Sequence, residues 1–162
     1  MVGGEEMGLF GLFGKKEKKK SHVPEYDARL IPKFHHEHKA LVSHIGKIQE
    51  AMDEGALGTG KVKKLLKSLK MELLGHFMEE DIKLYWYLKE YYKEDAGALS
   101  IVKSFEESIK EIQKDVLHFF DYYSRDDVPL DEEFGKKFAE IVEELSIRIT
   151  SEEENLYTLY LE

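Results

Sequence analysis

The sequence predicts an all-α protein, an up-down-up-down four-helix bundle, and three observations carry that prediction. Apolar residues recur at spacings of three and four in four segments of similar length. Short turns rich in glycine, proline or acidic residues separate those segments. No segment alternates with the two-residue period of a half-buried strand.

The first helix begins around Pro32, which suits a first helical turn because the missing N–H would have no partner there. Phe34, His38, Leu41, Ile45, Ile48 and Met52 then fall on one face. "DEGALGTG", residues 53–60, reads as a loop, with Thr59 placed to cap the second helix. The second stripe runs through Val62, Leu66, Leu69, Leu73, His76, Glu80, Leu84 and Tyr87 until "KEDAG" at 93–97 interrupts it. Phe105, Ile109, Ile112, Val116, Phe119 and Tyr123 mark the third helix. After the turn "SRDDVPLDEE", the fourth shows Phe138, Ile141, Leu145, Arg148, Glu152, Leu156 and Leu159.

A chain of 162 residues holds one domain with a real core. Residues 24–162 form that domain, preceded by a basic tail over residues 1–23. The tail's "GLFGLFGKKEKKK" combines two Leu-Phe steps with five lysines, which allows at most weak contact with an anionic membrane surface. The net charge of −9 argues against nucleic acid, which demands a basic face. With no cysteine there is no disulfide, thiolate metal site or thiol nucleophile. Neither a Gly-rich phosphate loop nor a serine elbow is present, so a non-enzymatic protein is expected. Its expected location is the cytoplasm. Gln49, Gln113 and Asn155 are the only amide residues, and with abundant Lys and Glu they give a thermophile-like composition.

The informative positions are those where ionisable residues interrupt the apolar stripes. His38 does so on the first helix, His76 and Glu80 on the second, Arg148 and Glu152 on the fourth. Residues 73–88 and 145–160 superpose without a gap, so that Leu73 matches Leu145, His76 matches Arg148 and Glu80 matches Glu152. Buried charges are costly unless paired or bound to metal. Inward-facing His and Glu on neighbouring helices are how bundles hold carboxylate-histidine metal centres.

"EHKAL" around His38, "HFMEEDIKLY" with its His76-to-Glu80 spacing, and "RITSEEENLY" resemble a bacterial hemerythrin-like (HHE cation-binding) domain over residues 31–161. The resemblance implies a helical bundle holding a non-haem di-iron centre that binds or senses oxygen or other oxidants. His38, His76, Glu80 and Glu152 match its ligand positions, with His35 a second-tier candidate one turn before His38. The chain departs from the family pattern twice. Its third helix offers Phe105, Ser108 and Ile109 where histidine is expected, and its fourth has Arg148, which cannot ligate. This R-x-x-x-E variant is similar to a subgroup of HHE proteins and to the regulator of sigma D, a bundle that binds a protein partner.

Two readings follow. In one, the site is degenerate and holds a single metal, iron or another divalent ion. In the other, Arg148 forms a salt bridge with Glu80 or Glu152 in place of a lost ligand, no metal binds, and the bundle is a regulatory interaction module. A protein partner or a homodimer is expected in that second case; the aromatics crowding 85–92 read first as closing the end of the bundle, and those facing outward would offer a surface for the partner. His118 reads as a plain surface histidine.

Overall fold

The computed structural model describes residues 23–161. The expectations for a basic tail and its membrane contact fall outside that range, apart from residue 23. Helix α1 is Leu30–Asp53. Helix α2 starts as Gly60–Glu79, passes through a π-helical turn Glu80–Tyr85 and ends as Trp86–Tyr91. Helix α3 is Ala96–Tyr123. Helix α4 starts as Glu132–Ser151, passes through a second π-helical turn Glu152–Leu156 and ends as Tyr157–Tyr160. There is no strand among the described residues. Each helix packs on the next and α4 returns to α1, which is the predicted four-helix bundle.

Local chemistry explains where the helices stop and start. After α1, Gly55 adopts φ 74°, the left-handed conformation that a Cβ disfavours. Its N–H and that of Ala56 return to the Met52 and Ala51 carbonyls, closing the helix end with a Schellman motif. Asp95 and Asp131 cap α3 and α4, their carboxylates accepting from Ala98 N at 3.1 Å and Phe134 N at 3.0 Å. Thr59 does stand before α2, but its hydroxyl donates backwards to the Ala56 carbonyl rather than capping the helix. Lys63 ties down the α3–α4 turn by donating to the carbonyls of Tyr123, Arg125 and Val128.

The core forms two aromatic ends with a polar level between them. At the α1–α2 loop end, Phe119, Tyr123, Phe134 and Phe138 pack ring on ring. At the other, Tyr160 stacks on Tyr26, contacts Tyr87, and accepts from the Asp27 N–H at 2.7 Å. Buried aliphatic residues from all four helices fill the length between, among them Ile48, Leu66, Leu73, Ile109 and Leu145.

The two π turns correct the straight-helix reading of α2 and α4. A π turn inserts one residue, so the inward face slips by one position. Beyond Leu84, Tyr85 and Leu88 are buried and Tyr87 is only half-buried; beyond Leu156, Tyr157 and Tyr160 are buried and Leu159 is half-buried. Both turns begin at a buried glutamate, Glu80 or Glu152, so the repeat legible in the sequence is also a repeat of backbone geometry.

Candidate metal centre

Four of the ionisable residues meet at one level of the bundle. His38 from α1, His76 and Glu80 from α2, and Glu152 from α4 are all buried. One ligand-capable atom from each lies within 4.8 Å of the others. The two imidazoles face each other, Nε2 to Nε2, at 3.1 Å. His76 Nε2 stands 3.3 Å from Glu80 Oε2, and His38 Nε2 stands 3.7 Å from Glu152 Oε1.

An outer ring of carboxylates orients these groups. Glu153 accepts from His38 Nδ1 at 2.7 Å, and Glu37 accepts from His76 Nδ1 at 2.6 Å. A carboxylate can only accept, so each imidazole carries a proton on Nδ1 and turns Nε2 inward. The ring interlocks the helices, since Glu37 of α1 holds a histidine of α2 and Glu153 of α4 holds one of α1. The Tyr157 hydroxyl donates to Glu80 Oε2 at 2.7 Å and also lies 3.3 Å from His38 Nε2.

The electrostatics describe a site that needs positive charge. Burial acts on His76 against its charged form, but hydrogen bonding and attraction from Glu80, joined by Glu37, outweigh it and raise its pKa. Burial, with the nearby His76, holds His38 below the usual imidazole range despite Glu153. Burial would raise Glu80, yet His76 and Tyr157 hold it below its ordinary value. Glu152 goes the other way, driven well up by burial and then by the charge of Glu80. Without metal, therefore, the surroundings favour protons on His76 and Glu152, which leaves the Glu80 carboxylate and the His38 Nε2 lone pair facing them. Burial and the same carboxylates also push the Tyr157 and Tyr85 phenols far up.

The residues present fit a cation. Two imidazole nitrogens and two carboxylates are a donor set suited to iron, manganese or zinc. Glu80 Oε1 and Glu152 Oε2 are buried with no hydrogen-bond partner, and such oxygens are otherwise costly. On the α3 side, Phe105, Ser108 and Ile109 add no imidazole.

Arg148 corrects the sequence reading. Its guanidinium donates to the Ser108 hydroxyl and covers the Phe105 ring at 5.1 Å, while its Nε has no partner. Among the described residues it makes no ion pair with Glu80 or Glu152. The side chain leaves α4 one turn before Glu152 and reaches across to α3, so its charge acts on Glu152 only through space. His35 is no part of the inner four; its Nδ1 lies 3.2 Å from the Glu153 oxygen that holds His38. His118 is exposed, as are Trp86 and Tyr91, whereas Tyr85 is fully buried.

Sequence reasoning missed Glu37, Glu153 and Tyr157. The two glutamates adjoin ligand positions in sequence and resemble ordinary surface charge there. Tyr157 lies five residues beyond Glu152, about 140° away around a regular helix; the π turn brings it inward. The outer glutamates carry a prediction. Glu37→Gln and Glu153→Gln are each expected to weaken metal binding by about 10–100-fold while leaving the fold intact. Competition against a chromophoric chelator measures this, and unchanged affinity in both would refute the orienting role.

A four-helix bundle with a buried carboxylate-histidine cluster open to a cation is the class that fold and site define. A family model described as the hemerythrin HHE cation binding domain matches residues 29–160. The chain belongs to the hemerythrin HHE cation-binding family. No curated protein and no solved structure gives a significant match.

Proposed function

We propose that this protein is a hemerythrin-like metal-binding or sensing domain whose core holds one cation rather than two. His38, His76, Glu80 and Glu152 hold the ion, Glu37 and Glu153 orient the imidazoles, and Arg148 occupies a position where the family pattern has a ligand. The observation that carries the reading is the convergence of four inward lone-pair donors at ligand spacing, with two carboxylate oxygens left unpartnered. Iron is the proposed ion, and when bound it supplies Lewis acidity and one-electron redox chemistry. The chain's own residues orient the donors, exclude water, and exchange the protons on His76 and Glu152 for the ion. A cytoplasmic, non-catalytic role and placement in the R-x-x-x-E subgroup complete the proposal. No helix in the described residues is long and apolar enough to cross a membrane.

The metal-free interaction module is the weaker reading, because its salt bridge between Arg148 and the buried acids is not formed. In that reading a partner would meet exposed apolar side chains such as Met71, Met78 and Ile82 of α2, or Trp86 and Tyr91 in the aromatic segment beyond them.

Elemental analysis after chelator-free purification tests the proposal, with one equivalent of metal per chain expected. Thermal melting gives the second test. An ion held at 100 times its dissociation constant adds about 2.7 kcal/mol to native stability. In a domain of this size that raises the melting temperature by roughly 5–10 °C. Melting curves that ferrous, manganous and zinc ions and a chelator all leave unchanged would return the field to the metal-free module.

A further inference from the structure

Five donor atoms, rather than four, stand at the separations that ligands keep around one ion. The Tyr157 hydroxyl is 2.7 Å from Glu80 Oε2, 3.3 Å from His38 Nε2 and 3.5 Å from Glu152 Oε1. Among the other four donors, His38 lies 3.1 Å from His76, His76 lies 3.3 Å from Glu80, and His38 lies 3.7 Å from Glu152. Ligands about 2.1 Å from a shared ion are separated by roughly 3.0–3.4 Å at octahedral to tetrahedral angles. A phenol serving only as an outside hydrogen-bond donor would touch one carboxylate oxygen and stand clear of the remaining donors. Tyr157 faces three of the four.

Resting on the single-cation reading above, we infer that Tyr157 is a fifth donor to the ion and that its phenolate makes the centre one for trivalent iron. Charge supports this, because Glu80, Glu152 and a Tyr157 phenolate supply three negative oxygens against three positive charges. A buried site so balanced avoids the cost of an uncompensated charge. Phenolate is also a hard oxygen donor, suited to a hard cation. When ferric ion enters, the Tyr157 O–H bond breaks, the proton passes to buffer, and the oxygen lone pair binds iron; no electron is transferred. The counterpart in the repeat behaves differently. Tyr85 is also buried five residues past a π-turn glutamate, but its hydroxyl touches none of the donors and has no partner.

The test is spectroscopic and independent of any activity. Protein stripped with chelator is titrated with ferric nitrilotriacetate, and bound iron is counted by elemental analysis. One iron per chain is expected, with a visible phenolate-to-iron charge-transfer band and phenolate ring modes in the resonance Raman spectrum excited within it. Tyr157→Phe is expected to lose the band and at least about 10-fold in ferric affinity, a loss of the size seen when a site partner is removed. Its helical circular dichroism and cooperative melting should match those of the chelated wild type in form, which shows that the variant folds. Tyr85→Phe should keep the band. One bound iron without a phenolate band, or a band that survives Tyr157→Phe, overturns the assignment and leaves the single-cation reading standing. A wild-type chain that takes up no metal overturns both.

Discussion

Replacing Glu80 by alanine is expected to lower metal affinity by more than about 100-fold, beyond the 10–100-fold attached to the outer glutamates. Glu80 is a direct donor, fully buried, and the hub of the site: His76 and Tyr157 both lean on its Oε2. The metal-free protein should suffer as well. Removing one partner of a buried charge pair leaves the other uncompensated, at a cost of about 3–5 kcal/mol. The pH dependence follows from the two partners. His76 has a folded pKa raised above 6.5, so its contribution is fully present below 6.5 and is lost as pH rises through the folded value. Glu80 has a folded pKa below 4.5, so its contribution is present above 4.5 and is lost as pH falls through the folded value. The penalty of Glu80→Ala should therefore peak between about pH 4.5 and 6.5 and shrink in alkaline buffer. Urea titrations of both chelated proteins at several pH values measure it. A penalty that grows steadily with pH would sink the His76–Glu80 pairing.

Glu152→Gln should act in opposite directions on the two states. It removes an anionic donor, so metal affinity should fall at least as far as in the outer-glutamate variants, by more than about 10-fold. The chelated protein, by contrast, should gain stability near neutral pH. Glu152 has a folded pKa well above 4.5, so its contribution is fully present below 4.5 and is lost as pH rises through the folded value. In water at neutral pH the unfolded carboxyl is ionised, whereas the folded one must keep its proton or face Glu80. A neutral amide avoids that choice, and the expected gain is roughly 1–3 kcal/mol, the scale of one buried unsatisfied polar group. The wild type should lose stability between mild acid and neutral pH relative to the variant. Parallel pH-stability curves would show that Glu152 does not titrate against Glu80. A less stable variant at neutral pH would show that the carboxyl stabilises the metal-free core.

These opposed effects define the character of the site. A core made only for stability would place apolar side chains where Glu80 and Glu152 stand. This one holds two carboxyls and two imidazoles together with protons favoured on His76 and Glu152, an arrangement that a cation relieves.

Much of this was legible in the residues. The four stripes, the short turns and the repeat of 73–88 in 145–160 located both the bundle and its polar level. His38, His76, Glu80 and Glu152 could be named because an ionisable residue on an apolar stripe is visible without knowing its neighbours. Arg148 illustrates the limit: its place on the stripe was legible, but its partner was not. A long side chain can reach several neighbours, and the sequence does not say that Ser108 and Phe105 of α3 are closer to hand than Glu80. The end of the second stripe shows a different limit. Reading 3.6 residues per turn through Glu80 places Tyr87 inward, and the π turn replaces it with Tyr85 and Leu88.

The sequence by itself determined four amphipathic helices, their order, and a band of ionisable residues facing the core. Hydrophobic period and the cost of burying charge are properties of each segment, so they can be read one segment at a time. Only the tertiary structure decided which groups meet: Glu37 with His76, Glu153 with His38, Tyr157 among the four donors, and Arg148 turned away to α3. Those choices depend on a one-residue slip in two helices and on the reach of side chains between helices, neither of which any single segment encodes.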